Sequence, residues 1–240
     1  VEEVFLVFEQ FIESIKPNGF LVACGDDAGV QSLLERIKRK DLKIHLYGKG
    51  DKNDFRIDKI HLAPTTSAAS ISSTGRKIGE LKLAVVGEHN LLNALAAFSA
   101  ASALGVAEEK VVAGLGSFTG TRRRFELKGE VSGVKVIDDY GHHPTELVVT
   151  LKAAKNLAQA GQVLVIFQPH RYSRTAAFAS QFSSALSMAD FTYLLEVYAG
   201  SEKPLPGISS LLIAKNMSAN QVKFEPSMLQ VVSDVVARAK

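Results

Sequence analysis

Two short stretches of this chain concentrate residues that can bind charge and move protons. One is Asp138-Asp139-Tyr140-Gly141-His142-His143-Pro144, and the other is Gln168-Pro169-His170-Arg171-Tyr172-Ser173-Arg174. Together they hold two carboxylates, three histidines, two arginines and two tyrosines, more than a connecting loop requires. Arg171 and Arg174 are three apart at a predicted helix entry, so both can face one point. Two guanidiniums beside a helix N-terminus make a trap for a carboxylate or a phosphate. Surface salt bridging is the plainer reading of such a pair, and the company of Tyr140, His142 and His143 weighs against it. His142 and His143 are adjacent, so their side chains diverge. Divergent and without flanking cysteine, they argue for hydrogen bonding to a polar substrate and not for a metal. Asp138 and Asp139 diverge too, and Asp139, nearer the loop, is the better candidate for a ribose hydroxyl.

A third stretch, Gly87-Glu88-His89-Asn90-Leu91-Leu92-Asn93, opens a helix. Asn90 and Asn93 share one face, and an amide offers the donor and acceptor that the edge of an adenine needs. Capping of the helix by Asn90 is the structural alternative. Arg122-Arg123-Arg124 reads either as a solvated linker or as a group reaching phosphates between two units.

The elements that must position these groups follow from apolar periodicity. Val4, Phe8, Ile12 and Ile15 recur at helical spacing until Pro17-Asn18-Gly19 stops them. Strands are predicted at 20–24 and 43–47, with a helix marked by Val30, Leu33, Leu34 and Ile37 between them, an order that implies a parallel sheet. Residues 55–86 read as antiparallel strands. Leu92, Leu95, Ala96, Ser99 and Ala103 mark one face of a helix ended by Gly105, and another helix covers 108–115. After a loop at 116–121 the pattern restarts. A hairpin turn is expected at Val131-Ser132-Gly133-Val134, strands at 134–138, 163–167, 191–197 and 221–225, and helices opening at Pro144, around Phe178, and over Met228, Val231, Val232 and Val235. Ligands of a doubly wound sheet bind at the carboxyl ends of its strands, which puts the first two stretches on one crevice edge.

At these residues the sequence resembles the Mur ligase family of ATP-dependent amide-bond-forming enzymes. The marks are Gly87-x-His89-Asn90-x-x-Asn93-Ala94, Gly120-x-x-Arg123-Arg124-Phe125, the runs 138–146 and 167–175, and Glu196-Val197-Tyr198-Ala199-Gly200. The last three are specific to the alanine-adding branch and its near relatives. The resemblance implies an α/β chain: a truncated Mur ligase central ATP-binding domain over 1–121, then a Rossmann-like doubly wound C-terminal domain over 122–240 lacking its last strand. It implies ATP-dependent joining of L-alanine to UDP-N-acetylmuramate through an acyl phosphate, with Mg2+ held mainly by residues that this sequence does not contain. His89, Asn90 and Asn93 would line the adenine site, Arg124 would lie by the phosphates and Asp139 would hold the ribose. Tyr140, His142, Arg171 and Arg174 would surround the amino acid, with His142 and Arg124 in catalytic roles.

No G-x-x-x-x-G-K-[ST] phosphate loop occurs in the sequence, and Gly48-Lys49-Gly50 is not one. The chain opens on what reads as the inside of a helix and stops at the end of another, so both ends are expected to be cut and the chain alone is expected to be inactive. A ligase that attaches a whole peptide, and a non-catalytic nucleotide-binding module, stand as alternatives.

Bulk properties agree with an enzyme core. The chain has 240 residues, 46% of them hydrophobic, with a formal charge of +3. That charge is too mild to argue for nucleic acid. No apolar run is long enough for a membrane-crossing helix. The single cysteine, Cys24, lies in an apolar run where a buried thiol is expected, and its solitude fits a reducing cytoplasm.

Overall fold

The structure is a computed structural model that describes residues 2–239. The chain forms two compact units, Val1–Thr119 and Gly120–Lys240. In the first, α1 (Glu2–Glu13), β1 (Phe20–Cys24), α2 (Ala28–Arg36) and β2 (Lys43–Gly48) alternate, followed by β3 (Phe55–Leu62), β4 (Ser67–Ser73), β5 (Arg76–Leu83), α3 (Glu88–Ala103) and α4 (Glu108–Gly116). The five strands form one sheet in chain order. The β1–β2 and β2–β3 pairs are parallel, whereas β3–β4 and β4–β5 are antiparallel. Asp27 starts α2 by accepting the Val30 amide at 2.8 Å.

The sheet buries Phe55, Ile57, Ile71, Leu81 and Leu83 against Leu91, Leu95 and Phe98 of α3 and Val111 of α4. Each such side chain contributes about 1.5–3 kcal/mol when fully buried. The buried face of α3 is Leu91, Ala94, Leu95, Phe98 and Ser99. Leu92, Ala96 and Ala103, expected on it, are only partly buried, because Phe98 sets the helix rotation by packing on Phe55 with ring centroids 6.0 Å apart. Gly105, at φ +81°, ends α3. The Val106 amide reaches Ala101 O and the Gly105 amide reaches Ser102 O, satisfying two terminal carbonyls. In α1, Ile12 is buried and Phe5 packs beside it, while Val4 and Phe8, expected inside, are exposed. Cys24 is partly and not fully buried, since its strand β1 lies at the sheet edge.

His45 of β2 lies between Phe20 and Phe55, with ring centroids 5.9 and 6.0 Å away. Burial first, then the charge of Lys43, hold its pKa below the ordinary 6.5 against the pull of Asp54. As pH falls through 6.5 the unfolded chain therefore takes up this proton before the folded one, and stability drops. Melting of the first unit is expected to move to lower temperature between about pH 7.5 and 5.5. The slope should be shallower in His45→Phe, and an equal slope would remove His45 from the account.

The second unit contains β6 (Glu126–Val131), β7 (Val134–Asp138), α5 (Pro144–Ala158), β8 (Leu164–Phe167), α6 (Tyr172–Leu186), β9 (Phe191–Leu194), α7 (Leu211–Ala214), β10 (Val222–Phe224) and α8 (Met228–Arg238). Its parallel sheet has the order β10-β9-β8. One face packs Phe167 and Leu194 on Leu147, Phe182, Leu186 and Ile213, and the other packs Phe191, Tyr193 and Leu195 on Val231. Helices thus cover both faces of the sheet, as expected.

Three details differ from expectation. β7 pairs only with β6, as a two-stranded antiparallel sheet, and is not a hydrogen-bonded member of the parallel sheet. Ser132 and Gly133, at φ +51° and +79°, make the tight turn that joins β7 to β6. The strand expected at 191–197 ends at Leu194, where Leu195 turns its amide to Phe167 O. In α8 only Val231 is buried, while Met228 and Val232 are exposed.

Candidate functional site

The loop after β7 is built around carboxylates that accept backbone amides. Asp139 accepts the Phe125 amide through Oδ2 at 2.9 Å and the Gly141 amide through Oδ1 at 2.7 Å. Both of its oxygens therefore shape the loop. Asp138, by contrast, turns to Arg123 at 3.6 Å. Glu146, at the third position of α5, accepts the amides of His142 and His143 at 2.9 and 3.0 Å and meets Arg124 at 3.4 Å. Burial pushes the Glu146 carboxyl up, but the His142 amide, the charge of His142, the His143 amide and Arg124 outweigh it and hold the pKa below 4.5.

The adjacent histidines have separate work. His143 caps α5: its Nδ1 accepts the Thr145 amide at 3.3 Å, reciprocated by Glu146, and its ring rests on Phe178. His142 points the other way. Its Nδ1 lies 2.9 Å from Tyr140 O, and its ring meets Tyr140 edge-on at 5.0 Å. Since a carbonyl only accepts, Nδ1 carries the proton, leaving Nε2 of neutral His142 as an acceptor. Replacing His143 by Ala is expected to cost about 1 kcal/mol through the lost cap. His143→Asn should recover most of it in urea unfolding, and an Ala variant as stable as the parent would show that Glu146 alone holds the turn.

The loop after β8 lies beside this one: the His142 and His170 rings are 6.1 Å apart. His170 stacks on Tyr198, with centroids at 5.3 Å and planes 26° apart, across a parallel bridge that joins the two backbones. Arg171 was expected on the helix face with Arg174. It is instead the residue before α6, at φ +71°, with its amide donating to Tyr198 O at 2.8 Å. The left-handed conformation is uncommon for a side chain of this size and is imposed by that bridge. Both arginines bear on His170, Arg174 by contact and Arg171 by its charge. Arg174 Nη1 lies 3.4 Å from His170 Nδ1. Burial first, then the charges of Arg174, Arg171 and His142, depress the His170 pKa against the pull of Glu202. Glu202 also accepts the Ser173 amide at 3.0 Å and takes the Ser173 hydroxyl, fixing the start of α6. Sequence reasoning left His170, Tyr198, Glu202 and Arg123 without roles. Tyr198 was visible only as part of a motif, and Arg123, 4.7 Å from the Tyr140 ring, only as one of three arginines.

In the first unit, Gly87 precedes α3 at φ +99°, and a Cβ there would stand 2.6 Å from the His89 ring. Only glycine fits both conditions. Asn90 does not cap the helix: its Nδ2 donates to Val86 O at 2.8 Å, leaving Oδ1 as an acceptor. Gly87, already in a non-helical conformation, takes the cap position without a side-chain bond. Asn93 and His89 are exposed on the same stretch. Among the described residues no group of three or more His, Cys, Asp or Glu could hold a metal ion, and no helix is long and apolar enough to cross a membrane.

The chain thus consists of a mixed sheet whose first strands are parallel, followed by a second, doubly wound α/β unit with cationic side chains at its strand ends. Residues 1–101 match the Mur ligase middle domain, and residues 123–240 match the Mur ligase, glutamate ligase domain. The chain belongs to the Mur ligase family. It is 41% identical over 239 residues to the UDP-N-acetylmuramate--L-alanine ligase of Acidothermus cellulolyticus, covering 99% of this chain and 50% of that protein. To the ligase of the same name from Kineococcus radiotolerans it is 42% identical over 235 residues, covering 97% and 50%. The crystal structure of UDP-N-acetylmuramate-alanine ligase MurC from Thermotoga maritima superposes with a TM-score of 0.71 at 26% identity, covering 94% of this chain and 55% of that one. MurF from Acinetobacter baumannii, at 18% identity and a TM-score of 0.76 over 96% of this chain and 47% of its own, shares the fold. The chain thus spans about half the length of the curated relatives it matches.

Proposed function

We propose that this chain supplies the amino-acid site and the adenine wall of a cytoplasmic enzyme that joins L-alanine to UDP-N-acetylmuramate at the expense of ATP. The observation that carries the reading is the meeting of two loop ends: Tyr140 edge-on to His142, His142 6.1 Å from His170, and Arg174 Nη1 3.4 Å from His170 Nδ1, with the charge of Arg171 also bearing on His170. Identity of about 41% to alanine ligases along nearly the whole chain supports it.

The muramate carboxylate is activated as an acyl phosphate, and the amine of alanine displaces phosphate. In this reading Arg171 and Arg174 hold the alanine carboxylate, and Tyr140 closes the side of the crevice. The alanine ammonium must lose a proton before its lone pair can attack. The Nε2 of neutral His142 is an available acceptor for that proton. Arg124, paired with Glu146 at 3.4 Å, adds positive charge beside the same loop and would stabilise charge developing on phosphate. Asn90 Oδ1 and the exposed Asn93 fit the donor edge of adenine, with His89 alongside. Asp139, with both oxygens accepting amides, would reach a ribose hydroxyl only by sharing an oxygen. Mg2+ would neutralise phosphate oxygens when bound, and among the described residues no cluster of three or more His, Cys, Asp or Glu could hold it.

The test is a chimera joining this chain to the N-terminal half of the Acidothermus cellulolyticus relative. Phosphate release should require ATP, UDP-N-acetylmuramate and L-alanine together, and a muramyl-type tripeptide should compete poorly. Faster turnover with the tripeptide than with alanine would replace this reading by peptide ligation.

A further inference from the structure

The two neighbouring histidines of the crevice, in their neutral forms, carry their protons on opposite nitrogens, as Arg174 and Tyr140 O require. Arg174 can only donate, so the His170 Nδ1 that it approaches at 3.4 Å must accept, which leaves the proton of neutral His170 on Nε2. Tyr140 O can only accept, so the His142 Nδ1 at 2.9 Å must donate, which leaves Nε2 of His142 bare. The stack of His170 on Tyr198 fixes the plane of its ring, and the contact with Arg174 selects the nitrogen that faces it. Gly200 lies along the Cε1–Nε2 edge: a Cβ there would be 3.6 and 3.7 Å from those atoms, so a larger residue would crowd the donor. The crevice therefore has donors on Arg174 and His170, with the charge of Arg171 nearby, facing an acceptor on His142.

We propose that His170 is a third ligand of the amino-acid carboxylate, donating from Nε2–H beside the two arginines, and that the opposed tautomers of His170 and His142 fix which end of a zwitterionic amino acid lies on which side. The carboxylate lies with His170, and the ammonium lies with His142. The proposal rests on the amino-acid-site reading above and adds to it a binding residue and an orientation rule. Burial and the charges of Arg174 and Arg171, opposed by Glu202, favour the neutral form of His170 on which the assignment depends.

The experiment uses this 240-residue chain with 15N-labelled histidine and arginine. At neutral pH, His170 should show a protonated Nε2 and a bare Nδ1, and His142 the reverse. L-Alanine should perturb both histidines and both arginines. Propionate, which is alanine without its amine, should perturb His170 and the arginines only, whereas ethylamine should perturb His142 only. His170→Phe keeps a ring to stack on Tyr198 and loses the donor. It should weaken L-alanine binding about tenfold, the loss of one hydrogen bond to a charged group. His170→Gln, which restores an N–H donor, should recover most of that affinity. A proton on His170 Nδ1, or arginines that respond to L-alanine while His170 does not, overturns this proposal and leaves the amino-acid site standing. Silence of all four groups toward L-alanine overturns the site and the proposal together.

Discussion

Arg171→Lys in the chimeric enzyme is expected to raise the KM for L-alanine by about 10- to 100-fold, with the KM for ATP nearly unchanged. The range corresponds to about 1.5–3 kcal/mol for a hydrogen bond to a charged group. Arg171 stands at the mouth of α6 with its backbone locked to Tyr198 O, so its guanidinium projects from a fixed point. Lysine keeps the charge and loses the planar fork that can bind both oxygens of a carboxylate. Arg174 cannot compensate, because its own fork already serves the carboxylate from a separate position on α6. Steady-state kinetics with each substrate varied in turn decide the matter. Should the ATP KM rise as much as the alanine KM, Arg171 is a phosphate ligand and the amino-acid trap is wrong.

Gly25→Ala is expected to destabilise the first unit by about 1–3 kcal/mol, the range for forcing an added methyl into a packed site. The reason lies in Asn53, which is 7% exposed. Its Nδ2 donates to Asp26 Oδ1 at 2.7 Å and to Gly50 O at 3.0 Å, tying the loop after β2 to the loop after β1. Asp26 also accepts the Lys49 and Gly50 amides, and its carboxyl stays below 3.8 although burial opposes this. A Cβ on Gly25 would lie 2.1 Å from Asn53 Oδ1 and 3.4 Å from Leu46 Cβ. Asn53 can move away only by giving up both bonds from its amide. Differential scanning calorimetry should show the first unit melting several degrees lower with the second unchanged. A melting temperature equal to the parent's would mean that Asn53 rearranges freely and the lock is not one.

The amino-acid sequence by itself determined the elements and their types. Apolar spacing is local information, so the β1–α2–β2 alternation, the hairpin at Ser132-Gly133, the Pro144 helix start and the strand beginning at 164 could all be read from a few neighbouring residues. The two stretches rich in histidine and arginine were legible for the same reason: their composition exceeds what loops need. Tertiary structure decided three things that local spacing does not encode. It set which face of α3 is buried, because Phe98 needed Phe55 from a distant strand. It left β7 outside the parallel sheet, paired with β6 alone, although its apolar pattern resembles that of the strands that do join. It also divided the labour among the histidines. His142 and His143 are neighbours in sequence, yet one caps a helix and the other faces a crevice. His170, distant from both in sequence, takes its proton arrangement from Arg174 and its orientation from Tyr198. A hydrogen bond chooses between two nitrogens of one ring by distances of a few ångströms, and such distances between separate loops exist only after the chain has folded.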